Sequence, residues 1–484
     1  MSAPNLYDAV AYPGFAQAQT HPDRLSTIAA LFGLAAAPSE RCRVLEVGCG
    51  DGRNLIAMAS ALPASTFAGF DLAAQPIAAG SDVVARLGLK NVSLTRRDLM
   101  TVGAEIGTFD YVIAHGFYAW VPRPVQDRLL ALCREVLAPG GIAYVSYNAY
   151  PGCRLREMLR DMMMFQLRGV DDPANRVAQA KAFIDFVRRG APEDADYGAR
   201  LTAEMERLVR QSPGTMFHDL LGGIYSPAYF HEFMAHAGAH ALQYLGEADF
   251  LEMDEENLPP EAVDRLRAFG PDRIVEKEQL MDFLKLRVFR QTLLCRDSIA
   301  LRRAPASEDL GRIHVATRAH PVTTPTGSVE YRTARGASMA TDSPVLRTLM
   351  GRLESAWPGS LPFAELSGLF AGAAEAAQML IRLYGSAMVD LHPSAPRFVL
   401  RAGATPSVSA LVRVQIEQGP LVTNRLHADV KVDGDAAREL VRRLDGTRDR
   451  PALLRDLAAA GQALSPESLE KGLGQLARLA LLLS

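Results

Sequence analysis

Residues 44–54 read VLEVGCGDGRN, a short β-branched run that breaks into three glycines, Gly48, Gly50 and Gly52. Glycine alone takes positive φ freely and lets a ligand lie against the main chain, so a strand running into such a loop marks a ligand-holding α/β turn. A dinucleotide fingerprint would place its third glycine at residue 53, where this chain has Arg53. An acidic residue, Glu46, stands two places before the first glycine. A diphosphate prefers the free N–H groups and positive dipole of a helix N-terminus. A carboxylate beside that loop suits a cationic ligand instead.

The surrounding text has the rhythm of a parallel sheet with crossover helices. Strands are predicted at Arg43–Glu46, Thr66–Phe70, Val92–Thr95, Tyr111–Ala114 and Ile142–Tyr147, with helices at Asn54–Ala61 and Val125–Leu137, the latter stopped by Pro139-Gly140-Gly141. This is a doubly wound, Rossmann-like α/β core. From about 154 to 225 the strand signal gives way to amphipathic helical patterns, read as a helical insertion whose methionines at 158 and 162–164 serve its core. Strand-like text returns in ALQYLGEADF and VFRQTLLCR, which extend the sheet and make residues 1–300 one unit. A Thr/Pro/Gly stretch, HPVTTPTGSVEY, follows as a boundary. Segment 301–402 shows three helices and then the strands AMVDLH and RFVLR, a winged-helix order. Residues 403–484 read as a helical domain, a degenerate second copy of the three-helix unit.

The chain has 484 residues and a formal charge of −3, too long for one ordinary core and too neutral for a protein built to hold nucleic acid or anionic membrane. Five scattered cysteines without CxxC spacing imply neither a disulfide framework nor a zinc knuckle, so a reducing cytoplasm is expected. No apolar run is long enough to span a bilayer, and the N-terminus lacks the pattern of an export signal. The histidines of HEFMAH, His231 and His236, miss the spacing of a zincin helix, so no metal site is predicted there.

S-adenosylmethionine carries a sulfonium and an ammonium group, and E/DxGxGxG is the form this loop takes in class I methyltransferases. The remaining positions of that pattern are present in order. Glu46, Gly48 and Gly50 form the loop; Asp71 ends the second strand for the ribose hydroxyls; Asp98 follows the third for the adenine amino group. Leu72 and Leu99 flank the adenine ring, and His115 ends the fourth strand beside the reacting centre.

Beyond the core, QTHPDRL at 19–25, SYNAYPGCRLREMLRDMM at 146–163, DFLKLRVFRQTLLCR at 282–296 and the tail VTNRLHADV resemble class I methyltransferases with a regulatory domain, among them the rickettsial protein lysine methyltransferases. The resemblance implies N-methylation of protein lysine side chains, a winged-helix C-terminal part, a homodimer, and an N-terminal segment with Tyr12 and Gln19 folded over the cofactor. Those relatives carry Trp-His after the Pro-Gly where this chain has Cys153-Arg154. Aromatic faces hold cations and an amide oxygen can accept from an amine, which nominates Tyr118, Trp120, Tyr147 and Asn148, with Phe117 and Tyr150 beside them, for the acceptor. A small-molecule acceptor under a helical lid, or a cofactor-sensing module that binds a partner protein, are the competing readings.

Overall fold

The computed structural model describes residues 10, 12–190, 198–256, 258–304, 307–323, 329–334 and 336–484. Residues 324–328, the heart of the expected boundary stretch, lie outside them. Strands β1 (Arg43–Val47), β2 (Thr66–Asp71), β3 (Val92–Arg96), β4 (Phe109–Ala114), β5 (Leu137–Asn148), β6 (Leu242–Glu247) and β7 (Phe289–Arg296) form one sheet in the order β3-β2-β1-β4-β5-β7-β6. The first five are parallel; β7 runs antiparallel to β5, and β6 antiparallel to β7. The two late strand-like runs therefore close the sheet, as their sequence suggested. Val44, Leu45 and Val47 of β1 and Val112 to Ala114 of β4 are all buried, the continuous apolar burial of central strands covered on both faces. Strand β5 begins earlier than its β-branched text implies. Its register shifts between Leu137 and Ile142, so Pro139-Gly140-Gly141 is an irregularity within the strand and helix Arg123–Val136 ends before it.

Helices Pro22–Leu31 and Arg53–Ala61 pack Leu25, Ile28, Leu55 and Met58 on one face of the sheet. Helices Arg123–Val136 and Phe230–Ala239 pack Leu129, Leu130, Phe230 and Phe233 on the other. The insertion holds helices Arg154–Gln166, Pro173–Gly190, Gly198–Val209 and Pro213–Leu221, with a core of its own that includes Leu159, Met163 and Ile184.

After the sheet come β8 (His314–Ala316), β9 (His320–Thr323), β10 (Val329–Arg332), β11 (Ser338–Ala340), β12 (Leu361–Pro362) and β13 (Asp390–His392). Helices Pro344–Ala356, Phe363–Ser367 and Ala373–Gly385 pack beside a small sheet ordered β12-β8-β13. The helix order is as predicted, but RFVLR is not its strand. Val399 instead accepts a place in the C-terminal core, where its N–H donates to the Leu482 carbonyl at 3.0 Å, and the missing strand is supplied by β8 from upstream. This middle unit shares one apolar cluster with the large sheet, with Tyr384 stacked on Phe250 at 4.8 Å. The C-terminal part carries a hairpin, β14 (Leu421–Thr423) with β15 (Asp429–Lys431), among helices Ala410–Gln418, Asp435–Arg443, Arg450–Ala459 and Pro466–Arg478. It is therefore not the purely helical domain expected. Three-residue strands are too short to show alternation in the text. No helix among the described residues is long and apolar enough to cross a membrane.

Candidate active site

The loop after β1 has the geometry its glycines permit: Gly48, Gly50 and Gly52 take φ of 70°, 55° and 69°. Two close approaches enforce it. A Cβ on Gly48 would stand 2.5 Å from the Phe117 ring, and one on Gly80 of helix Ala74–Leu87 would stand 2.0 Å from the Asp51 carbonyl oxygen. Gly50, by contrast, faces open space, with nothing within 4 Å of such a Cβ.

Glu46 is buried, and its carboxylate lies beside Asp51 and Asp71. Asn54 Nδ2 donates to Glu46 Oε1 at 3.0 Å, while Oε2 has no protein partner. Burial, reinforced by the two neighbouring carboxylates, pushes the Glu46 pKa up to about 8. A buried carboxylate oxygen left unpaired in an acidic pocket is the site a cation completes. Below about pH 8 the free protein holds Glu46 protonated, whereas a bound ammonium favours the ionised form. Binding near pH 7 is thus expected to release a proton, and affinity for S-adenosylhomocysteine to rise from pH 6 toward pH 8 by up to about tenfold per unit. Calorimetry in buffers of different ionisation enthalpy reads the proton directly; a buffer-independent enthalpy at pH 7 would exclude this role for Glu46.

Asp71 is oriented at both oxygens: Oδ2 accepts from Gly50 N at 3.0 Å and Oδ1 from Ala73 N at 2.8 Å. Leu72 beside it is 52 % exposed, an apolar surface left open next to the loop. Asp98 caps the short turn Leu99–Thr101 by accepting from Met100 N at 2.9 Å. Leu99 is buried beneath that turn, and exposed Met100 is the apolar side chain the text did not nominate.

His115, at the end of β4, places Nδ1 3.0 Å from the Tyr144 hydroxyl and 3.3 Å from Ser146 Oγ, and Tyr144 donates onward to Gln291. Burial lowers its pKa to about 4, so the ring is neutral near pH 7. Of the four acceptor candidates, two point away from this centre. Tyr147 is buried on the opposite face of β5, stacked on Phe233 at 4.3 Å with its hydroxyl near Thr292. Tyr118 joins the same cluster, and its hydroxyl lies 2.8 Å from His236 Nδ1. Both are core residues, so Tyr118 and Tyr147, expected at the acceptor, pack in the interior instead because the parity of β5 and the His236 contact turn them away from His115. Asn148 shares the face of Tyr144 and Ser146, because alternate strand residues point alike. Trp120 packs on Tyr225 at 5.1 Å, and both Tyr225 and Asn148 lie against the buried Cys153 thiol. Tyr225 belongs to a segment stitched to this rim by Ser226 N to Ala119 O and Ala228 N to Asn148 O. It went unrecognised because nothing in the sequence links residue 225 to residue 120. Tyr150 already holds a cation: Arg154, in the Cys-Arg departure, lies 3.8 Å over its ring and pairs with Glu157.

The histidines of HEFMAH diverge, His231 toward Gln279 and His236 toward Tyr118. His236 meets His240 instead, both with Nε2 on Asp127 Oδ1, at 3.3 and 3.0 Å.

The N-terminal segment does cross the glycine loop. A Cβ on Gly14 would strike Asp51, Gln17 N donates to Asn54 Oδ1 at 2.9 Å, and Thr20 Oγ1 accepts from Asn54 Nδ2 at 3.0 Å. Gln17 and Thr20 make these bonds where Gln19 was expected to engage; Gln19 sits between them in the turn Ala18–Thr20. Tyr12 packs edge-on against His218 of the insertion at 5.7 Å.

Sheet order, glycine loop and acidic strand ends together define a class I methyltransferase fold. Residues 44–141 match the family described as "Methyltransferase domain", 212–296 "Predicted methyltransferase regulatory domain", and 405–478 "PKMT, C-terminal winged helix domain". The chain belongs to the methyltransferases that combine these three parts. The winged-helix match thus falls on the segment read as helical, 403–484, rather than on 301–402. Two uncharacterized proteins of Rickettsia prowazekii are similar. One is 36% identical over 312 residues, covering 64% of this chain and 56% of the relative, so the chain spans about half that relative's length. The other is 34% identical over 232 residues, covering 48% of this chain and 93% of the relative. PKMT2 from Rickettsia typhi, whose structure is also known in complex with AdoHcy, superposes with a TM-score of 0.86 at 25% identity, over 98% of this chain and 100% of that one.

Proposed function

We propose that this protein binds S-adenosylmethionine at the loop after β1 and methylates an amine, with a lysine side chain of a protein as the acceptor class. The unpartnered, buried Glu46 oxygen beside an open glycine loop is the observation that carries the reading. The cofactor brings a methyl group on a sulfonium. Glu46 would hold the ammonium, Asp71 the ribose hydroxyls and Asp98 the adenine edge, with the exposed Leu72 and Met100, rather than the buried Leu99, framing the ring. The segment bearing Tyr12 and Gln19 closes over them, and His115, neutral, borders the reacting centre without adding charge.

Displacement at a sulfonium methyl needs alignment and exclusion of water more than covalent help. A lysine must first lose a proton, at a cost of about 4–5 kcal/mol near pH 7. Trp120 and Tyr225 offer aromatic faces to the cationic side chain, and the Asn148 amide oxygen can orient the amine lone pair. Asn148→Ala is expected to lower turnover about tenfold at unchanged cofactor affinity, and Tyr147→Phe to leave turnover intact. Equal losses for both variants would remove Asn148 from the acceptor site.

The deciding experiment incubates pure protein with radiolabelled S-adenosylmethionine and cell lysate. Label in lysine side chains of protein supports the reading; label in the small-molecule fraction replaces lysine by a metabolite; no transfer leaves a cofactor-sensing module. The resemblance also supports a homodimer, for which Phe165 and Phe186, 64% and 70% exposed on the insertion, offer apolar surface, and sedimentation velocity is the test. Five free, buried cysteines support a cytoplasmic setting.

A further inference from the structure

A cavity of about 210 Å³ opens where the N-terminal segment, the middle unit and the C-terminal domain meet. Several of its charges are matched within the protein. Arg24 pairs with Asp249, Arg318 with Asp390, and His392 faces Asp23 at 3.4 Å. Arg397 and Arg425 are different. Arg425 donates its Nε–H to the Arg397 carbonyl at 3.1 Å, and among the described residues neither guanidinium is paired with a carboxylate. Glu40 is the remaining acid in the wall, alongside His21 and His427, whose rings lie 5.1 Å apart. Arg425 is half-buried and Arg397 exposed, and two like charges near enough to repel at the mouth of a partly enclosed cavity are stabilised by an anion that takes N–H donors from both.

The same wall leads to the cofactor seat. His427, held at φ 52°, places Nε2 2.8 Å from Asn54 Oδ1, and Asn54 in turn donates to Glu46. Arg53, the neighbour of Asn54, is clamped by Asp429 at 3.2 Å and by the Leu421 carbonyl at 3.0 Å. The C-terminal domain therefore contributes a buried side chain to the network that positions the carboxylate assigned to the cofactor ammonium.

We propose that this three-way junction is a binding site for a small anion, a phosphate- or carboxylate-bearing metabolite, and that its occupancy strengthens cofactor binding through His427 and Asn54. The coupling half rests on the cofactor reading above; the anion site does not. An anion on Arg397 and Arg425 fixes the 425–427 turn in the arrangement that holds Asn54, so the two ligands favour the same state, and each raises the other's affinity equally.

The test is calorimetry on the full chain with inorganic phosphate and, separately, with citrate at constant ionic strength. One saturable site is expected, weakened about tenfold or more by Arg425→Ala and by Arg397→Ala. Arg189→Ala, an exposed arginine of the insertion, should leave binding unchanged, and thermal melting checks that each variant folds. Preference for phosphate or for citrate assigns the ligand's acidic group. No saturable binding of either below about 10 mM, or binding indifferent to Arg425→Ala, overturns the site. S-adenosylhomocysteine titrated at saturating anion should bind about threefold tighter or better, and His427→Ala should abolish that gain. An unchanged affinity overturns the coupling. Failure of S-adenosylhomocysteine to bind with or without the anion removes the cofactor reading and leaves the anion isotherm to stand on its own.

Discussion

Arg290→Met is expected to destabilise the protein by about 3–5 kcal/mol, a large part of the stability of an ordinary domain. Arg290 of β7 is fully buried and donates to Asp282 at 2.9 and 2.8 Å, to Glu247 at 2.6 Å and to Glu278 at 3.1 Å, with its guanidinium 3.7 Å over the Phe230 ring. Arg287 is the second cation of this network, 3.2 Å from Asp282 and 3.5 Å from Glu278. Methionine fills the space but leaves three buried carboxylates facing one arginine. Burial already raises the pKa of Glu247 and Asp282, and the arginines oppose it, so losing Arg290 removes the main counterweight. Arg290→Lys keeps the charge without the planar fork and should fall between. Thermal and urea unfolding are the measurements. A variant within about 1 kcal/mol of the parent would show that the network is not what holds β6, β7 and helix Ile274–Lys285 together.

Asp71→Ala is expected to weaken S-adenosylhomocysteine binding about a hundredfold, roughly 2.7 kcal/mol. Two losses combine. The ribose hydroxyls lose a charged acceptor, and the N–H groups of Gly50 and Ala73 lose the carboxylate that fixes the loop. Asp71→Asn keeps an oxygen for one of those N–H groups and should lose less. Calorimetry of parent and variant in buffers of different ionisation enthalpy separates this effect from the Glu46 proton. Undiminished affinity in the alanine variant would remove Asp71 from the ribose site.

The residues proposed to hold the cofactor are legible in the sequence because their determinants are local. Glu46 to Gly52, Asp71, Asp98 and His115 each end a strand of a parallel sheet, and such strand ends gather at one edge whatever covers them. The acceptor half was legible in part. Successive residues of a strand point to opposite faces, so Tyr147 and Asn148 could not both serve one ligand, a parity present in the text. Which of the two faces the reacting centre was not; that follows from Ser146, which binds His115 and the Gly116 N–H. Trp120 gained its partner Tyr225 from about a hundred residues downstream, beyond the reach of any local pattern.

The stretch DFLKLRVFRQTLLCR shows the same division. The run VFRQTLLCR predicts a strand, and β7 is one, whereas nothing local marks Asp282, Arg287 and Arg290 as members of one buried network. Folding brings Glu247 and Glu278 to them and buries the group. By itself, then, the sequence determined the doubly wound core, the glycine loop and the cationic ligand it suits, because backbone conformation and helix or strand period are properties of neighbouring residues. Only the tertiary structure decided which aromatics face the site, that RFVLR leaves the middle unit for the C-terminal core, and that His427 reaches Asn54, because burial and charge pairing depend on residues hundreds of positions apart.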